Sequence, residues 1–282
     1  MNEFAMIGQT ISHYKILNKL GEGGMGVVYK AEDLFLHRTV ALKFPPEVFT
    51  SDEGIRSRLL DEARMAASLL HPNVTVLYEV DEHEGHPFLV MEYVDGHTLR
   101  RIIHEHGPLP LGTWIDVAVQ LCEGVRAVHR KRMLHRDIKT ENILLSKADE
   151  VKIVDCGLAA RFINAEGLAE ELGISGTTAY MSPEQARGDQ LDQRSDIFSV
   201  GVVLYELLTG RLPFEAEQES ALIYLITNVE PPPPGTLRED IPADITAIVH
   251  RALEKDPARR YQHMQDILED LRGARKNLRG HT

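Results

Sequence analysis

Two lobes of an α+β fold are predicted, a β-rich first lobe with one main helix and a largely α-helical second lobe. Three observations carry that expectation. From Tyr14 to Met91 the pattern is strand-rich, in short apolar runs bounded by turn residues. One stretch within that region, Gly54 to Leu70, switches to helical spacing. After Gly96 helical spacing dominates. With 282 residues, 43% of them hydrophobic, the chain can bury a large core as one domain or two lobes.

The elements follow in order. Tyr14-Lys15-Ile16-Leu17 and Val27-Val28-Tyr29-Lys30-Ala31 read as two strands. Between them lies Gly21-Glu22-Gly23-Gly24-Met25-Gly26. Glycines let a hairpin backbone approach phosphates closely and present N–H groups to them. The same glycine spacing also serves dinucleotide-binding folds, but there a helix follows, whereas a strand follows here. Val40-Ala41-Leu42-Lys43 is an apolar strand with one lysine. In the helix, Ile55, Leu59, Ala63, Ala66, Ala67 and Leu70 share a face. Phe88-Leu89-Val90-Met91 is a short apolar run ending at a connection, Glu92 to Gly96. Trp114 to His129 carries Ile115, Ala118, Cys122 and Val125 on one face. Asp196 to Leu208 is apolar nearly all round, the mark of a buried helix, and Thr209-Gly210 ends it. Pro231 to Pro234 breaks the helical region as a rigid connection. Asp244 is placed as the N-cap of a helix whose face is Ile245, Ile248, Val249, Ala252 and Leu253.

The chemistry is concentrated in His135-Arg136-Asp137-Ile138-Lys139-Thr140-Glu141-Asn142 and in Asp155-Cys156-Gly157. Asp137 can accept the proton of a hydroxyl, and Lys139 can neutralise a moving phosphate. Asn142 and Asp155 offer hard oxygen ligands of the kind magnesium takes. His135 is read as a core residue that orders backbone, not as an acid or base. His83, His86, His97, His104 and His106 are read as residues of solvated loops rather than a metal site. Cys122 is read as packing.

These strings, in this order, resemble the landmarks of the protein kinase superfamily, and the phrases Gly-Glu-Gly-Gly-Met-Gly and Tyr-Met-Ser-Pro-Glu-Gln resemble its bacterial Hanks-type serine/threonine branch. The resemblance implies a bilobal protein-kinase-like fold over 14–272, with a first lobe over about 14–91, a hinge over 92–96 and a second lobe over 97–272. Residues 1–13 and 273–282 are then flanking or linker segments, and the polar tail from Gly273 looks like the start of a linker. The implied activity is transfer of the γ-phosphate of ATP to serine or threonine, with Asp137 as base, Lys139 beside it, and Mg2+ (Mn2+ as an alternative) on Asn142 and Asp155. Lys43 holds phosphates and pairs with a glutamate of the next helix. Glu62 is the candidate; neighbouring Asp61 lies about 100° round the helix, so only one of the two can face Lys43. Nucleotide binding is assigned to Gly21, Gly23, Gly24, Gly26, Val28, Ala41, Lys43, Met91, Glu92, Val94 and Leu144, with Met91 as gatekeeper. Thr177 matches the threonine that bridges base and lysine in kinases acting on aliphatic hydroxyls. Glu184, in Ser182-Pro183-Glu184, is expected to pair with Arg260, and Asp196 to brace the catalytic loop. One departure is Cys156, where the family has Phe. It is expected to leave a column with Ala66, Leu77 and His135 short of bulk.

Other expectations are regulatory and cellular. Arg136 precedes the base, and such an arginine docks a loop phosphate in the family. Between Asp155 and Gly176 the only hydroxyl is Ser175, so Glu170 and Glu171, with Arg136 and Arg161 as partners, are expected to order the loop without phosphorylation. A net charge of −12 argues against a nucleic-acid-binding surface. Two cysteines suit a reducing compartment, and no signal peptide or membrane span is visible, so a cytoplasmic location is expected, with a span still open for a longer parent protein. Expected partners are protein substrates with Ser or Thr acceptors, and a kinase-domain dimer is allowed. Two other readings stand beside the active kinase: a nucleotide-binding pseudokinase scaffold, favoured by Cys156 alone, and a small-molecule phosphotransferase, disfavoured by Thr177, Glu184 and Arg260.

Overall fold

The computed structural model describes residues 6–24, 26–46, 53–155 and 178–280. They fall into two compact units. One comprises the chain up to His71 together with Thr75–Asp95; the other comprises Pro72–Val74 and the described residues from Gly96 onward.

The first unit is a six-stranded antiparallel sheet of β1 (Thr10–Ile11), β2 (Tyr14–Gly23), β3 (Gly26–Asp33), β4 (Arg38–Phe44), β5 (Leu77–His83) and β6 (His86–Glu92), in the order β1-β2-β3-β4-β6-β5. Side chains alternate across it with the period of two. Val40 and Leu42 of β4 join Ile11, Tyr14, Ile16, Tyr29, Phe88 and Val90 in one cluster. Ala41 joins Leu77, Leu89 and Met91 in another, closed by Ala63 and Ala66 of the helix α1 (Glu53–Ala67).

Helix α1 is shorter than its periodicity predicts. Ile55, Leu59, Ala63 and Ala66 are buried as expected, but Ala67 and Leu70 are exposed. The last turn tightens into Ser68 N–H to Met65 O and Leu69 N–H to Ala66 O. Pro72 follows closely, and a helix normally ends before the residue preceding a proline. The change of path buries Leu69 in place of Leu70.

The second unit holds a three-stranded sheet, β7 (Gly96–Thr98), β8 (Ile143–Ser146) and β9 (Val151–Ile153), in that order. Its helices are α2 (Leu99–His106), α3 (Leu111–Arg130), α4 (Pro183–Arg187), α5 (Gln193–Thr209), α6 (Glu219–Asn228), α7 (Pro234–Leu237), α8 (Ala243–Ala252) and α9 (Met264–Gly280). Helix α5 is the hub: every residue from Ser195 to Leu208 is buried. It starts three residues before the expected Asp196, because Asp192 accepts the N–H of Arg194 as its cap, and it ends on Gly210 in the left-handed region as expected. At Gly201 a Cβ would lie 2.9 Å from the Cβ of Ala252, so α5 and α8 need the glycine for their close approach. Trp114 donates its indole N–H to Leu204 O, tying α3 to α5.

Two boundaries differ from expectation. Helix α8 is capped by Pro242, and Asp244 sits inside its first turn, where a carboxylate favours the positive end of the helix. Residues 273–280, expected to begin a linker, are helical and continue α9. Leu268, Leu271 and Ala274 keep the buried face going, and Arg275 pairs with Asp116 of α3 at 2.7 Å. Among the described residues no helix is long and apolar enough to cross a membrane.

Candidate active site

The segment from His135 to Asn142 contains no long element, so its shape has to be imposed from outside. Asp196, buried in the first turn of α5, does this. Its Oδ2 accepts the N–H of His135 at 2.9 Å and its Oδ1 accepts that of Arg136 at 2.8 Å. His129, at the end of α3, supplies Nε2 to the same Oδ2 at 2.8 Å. Burial opposes the charge on Asp196, but the His129 hydrogen bond and field and the Arg136 N–H prevail and hold its carboxyl below the usual range. His135 is fully buried. Its Nδ1 accepts the N–H of Asp137, so Nε2 carries the proton and donates to Val154 O at 3.1 Å. The expected backbone-ordering role of both residues is therefore met. Arg136 and Asp155 each adopt a left-handed φ, 67° and 60°, a conformation that non-glycine residues hold only where surroundings enforce it.

Asp137 is buried at 5% exposure. Its Oδ2 accepts from Asn142 Nδ2 at 2.8 Å and pairs with Lys139 Nζ at 2.9 Å. Its Oδ1 is buried and has no hydrogen-bond partner among the described residues. Asn142 closes a single 3-10 turn, Thr140–Asn142, and also donates to Asp137 O at 2.9 Å. Because both Asn142 bonds run through Nδ2, its Oδ1 is the end available to a cation. The result is a carboxylate steadied on one oxygen by an amide and an ammonium, with its other oxygen buried and without a hydrogen-bond partner among the described residues.

In the first unit the glycine run is the β2–β3 hairpin, with Gly21 opposite Val28 and Gly23 opposite Gly26. Gly26 has φ 104°, and a Cβ there would sit 1.9 Å from Phe44 O, so the fold itself requires this glycine. At Gly21 and Gly23 a Cβ would meet nothing within 4 Å. Val28 faces Lys43 in register, and Ala41 faces Met91. Alternation along β4 puts Lys43 on the face of Ala41, the face that α1 covers. Lys43 and Glu62 are both buried, at 4% and 7% exposure. Asp61 points to solvent and pairs with Arg64 at 2.7 Å. Val28, Ala41 and Met91 belong to one apolar cluster. Glu92 uses its side chain on the N–H of Val76, and Val94 lies half-buried just beyond β6. In the second unit Leu144 is half-buried on β8 between Thr98 and Lys152.

Glu184 is held as expected. Arg260, fully buried, meets it with two bonds of 2.8 and 3.1 Å, and Ser195 donates to the same carboxylate. Ser182 and Gln185 form a reciprocal capping box at the start of α4. Met25, Cys156, Gly157, Arg161, Glu170, Glu171, Ser175, Gly176 and Thr177 lie outside the described residues. Two participants had no sequence signal: His129, which reads as one more helix residue, and Glu206, a carboxylate inside an apolar helix, bound by Arg100 at 2.7 Å.

The protein kinase domain model matches residues 14–270. The chain belongs to the protein kinase family. Among curated kinases it is 39% identical over 262 residues to serine/threonine-protein kinase PknB of Mycobacterium leprae, covering 92% of this chain and 42% of that protein. It is 37% identical over 273 residues to a probable serine/threonine-protein kinase of Clostridium acetobutylicum, covering 96% and 41%. The chain thus spans about two-fifths of the length of these relatives. The kinase domain of Mycobacterium tuberculosis PknI has the same fold, with a TM-score of 0.74 at 24% identity, covering 95% of this chain and 98% of that one. The expected family and α+β fold class are both met. Protein kinases use ATP and a divalent metal ion and act on protein substrates.

Proposed function

We propose that this chain is the catalytic domain of a serine/threonine protein kinase, moving the γ-phosphate of ATP to Ser and Thr hydroxyls of proteins. The observation that carries this reading is Asp137, with Oδ2 held by Asn142 and Lys139 and a buried Oδ1 that has no hydrogen-bond partner among the described residues. An acceptor hydroxyl hydrogen-bonds to Oδ1. Its oxygen attacks the γ-phosphorus as its proton passes to Asp137. The bond from that phosphorus to the bridging oxygen breaks, leaving ADP and a phosphoester. Lys139 faces the charge carried by the transferring group. Thr177 is assigned to the acceptor side. The curated relatives' names support serine/threonine specificity over the scaffold reading.

Mg2+, or Mn2+ in its place, fits the donor set: Asn142 has a free-facing amide oxygen and Asp155 a carboxylate, both hard ligands. When bound, the ion supplies charge neutralisation to the phosphates. In the other unit, the Gly21–Gly26 backbone, Lys43 and Glu62 are assigned to the phosphates. Val28, Ala41, Met91, Glu92, Val94 and Leu144 are assigned to the base of the nucleotide. The kinase domain is placed at 14–272, with lobes at about 14–91 and 97–272 and the hinge at 92–96. Cysteine usage supports a cytoplasmic setting. The test is labelled ATP with magnesium and a generic protein substrate. Transfer to serine or threonine that Asp137→Asn abolishes is the expected result; undiminished transfer by that variant would remove the assignment.

A further inference from the structure

Thr140 sits in the middle of the Asp137–Asn142 string and is fully buried. Its hydroxyl lies 2.7 Å from the Tyr180 hydroxyl and 3.2 Å from Glu206 Oε2. Tyr180 donates to the same Glu206 oxygen at 2.5 Å, and Arg100 holds the other oxygen at 2.7 Å. The buried carboxylate, at 1% exposure, is held by Arg100 and Tyr180; because Tyr180 gives its proton to Glu206, the single Thr140 proton goes to the Tyr180 hydroxyl oxygen, with Glu206 Oε2 as the longer alternative acceptor. The two ends of the Thr140–Asn142 turn do different things. Asn142 clamps Asp137, the proposed base. Thr140 reaches Tyr180, which closes the short turn Thr178–Tyr180 just ahead of the Ser182 cap. The Tyr180 carbonyl is fixed independently, by Ser199 of α5 at 2.8 Å.

We infer that Thr140 is a positioning residue for the acceptor, locking segment 178–182 to the turn that carries the base. It rests on the kinase reading, in which that segment adjoins the acceptor. Thr140 touches no reacting atom; it sets where the acceptor platform stands relative to Asp137. A substitution that removes only the hydroxyl isolates this role, because Glu206 keeps Tyr180 and Arg100. Thr140→Val preserves shape and burial. Loss of one buried hydrogen bond is worth about ten-fold in an equilibrium.

The experiment compares wild type, Thr140→Val and Thr140→Ser. It uses a serine peptide selected on the wild type, and amide hydrogen exchange of residues 178–182. In Thr140→Val the acceptor KM is expected to rise roughly ten-fold, while kcat and the nucleotide KM hold within about two-fold. Exchange in 178–182 should speed up to a similar degree with Tm lowered by no more than about 2–3 °C, and Thr140→Ser should restore both. Wild-type kinetics in Thr140→Val overturn the inference, even if exchange quickens. So does a parallel loss of kcat, both KM values and Tm, which would mark a merely structural hydroxyl. Failure of Thr140→Ser to rescue does the same. A wild-type chain without phosphotransfer would instead sink the kinase reading. In that case unchanged exchange in Thr140→Val would refute the lock, and faster exchange rescued by serine would uphold it.

Discussion

Asp137, the proposed base, is nearly buried, and its two oxygens have different surroundings. Lys139 and Asn142 hold Oδ2, while Oδ1 has no hydrogen-bond partner among the described residues and is the oxygen assigned to the acceptor. Asp137→Asn keeps the shape and the Asn142 contact to the backbone. It should therefore lower kcat by about three orders of magnitude while ADP affinity and Tm remain near wild type, measured by steady-state kinetics and calorimetry. Retained turnover in a contaminant-free preparation would show that another group takes the proton. This part of the site was legible in the sequence because Asp137, Lys139 and Asn142 lie within six residues of one another, so local spacing alone gathers them. Asp196 and Glu206 reach the loop across long stretches of chain, and His129 acts on it only through Asp196. Asp196 was found only through the family resemblance. His129 and Glu206 could not be found, since nothing in a helix's own sequence says which distant partner a polar residue meets.

The β2–β3 hairpin separates two kinds of glycine. Gly26→Ala forces a Cβ into Phe44 O at a positive φ, so it should cost stability outright, about 2 kcal/mol or more, seen as a lower urea midpoint. Gly21→Ala and Gly23→Ala meet open space. They should leave the midpoint within about 0.5–1 kcal/mol of wild type and instead raise the nucleotide KM several-fold, because the added methyl stands where backbone is assigned to phosphates. An unchanged KM would take these glycines out of the nucleotide assignment. The Glu184–Arg260 pair ties α4 to the segment before α9. Burial alone would raise the Glu184 carboxyl, but the hydrogen bonds and charge of Arg260 prevail and hold it below the ordinary value. A depressed carboxyl stabilises the fold above its unfolded value of 4.5 and loses that contribution as pH falls further. At neutral pH Glu184→Gln should cost about 3 kcal/mol, because it leaves a buried guanidinium without its counter-charge. The gap from wild type should narrow below about pH 4.5, and a gap independent of pH would show that the pair contributes through shape alone. The helices themselves were legible where a long apolar face runs between clear stops, as in α3 and α5. Ends were less so. Leu70 fits the α1 period but follows the break before Pro72. The polar letters of 273–280 conceal that α9 continues its buried face through Ala274.

The fold class was legible because the two periodicities largely segregate along the chain, strands with the single helix α1 before Asp95 and helices with the short sheet β7–β9 after it. The whole molecule also sets the terms on which a nucleotide can bind. Its net charge is −12, and ATP is itself a polyanion, so the long-range field opposes binding. The assigned cations, Lys43 and Lys139, are few and buried or half-buried. A divalent ion on Asn142 and Asp155 would therefore have to supply much of the attraction. Ligand at a hundred times its Kd stabilises a fold by about 2.7 kcal/mol. In a chain of this size that corresponds to a rise in Tm of roughly 5 °C. ATP with magnesium should produce such a shift, and ATP with EDTA a small one that weakens further at low ionic strength, where repulsion is least screened. Asn142→Ala and Asp155→Asn should remove the metal-dependent part while leaving the weak metal-free shift. Lys43→Ala should reduce both. An equal shift with and without EDTA would take Asn142 and Asp155 out of the metal assignment, and the absence of any shift in the wild type would remove the nucleotide assignment itself.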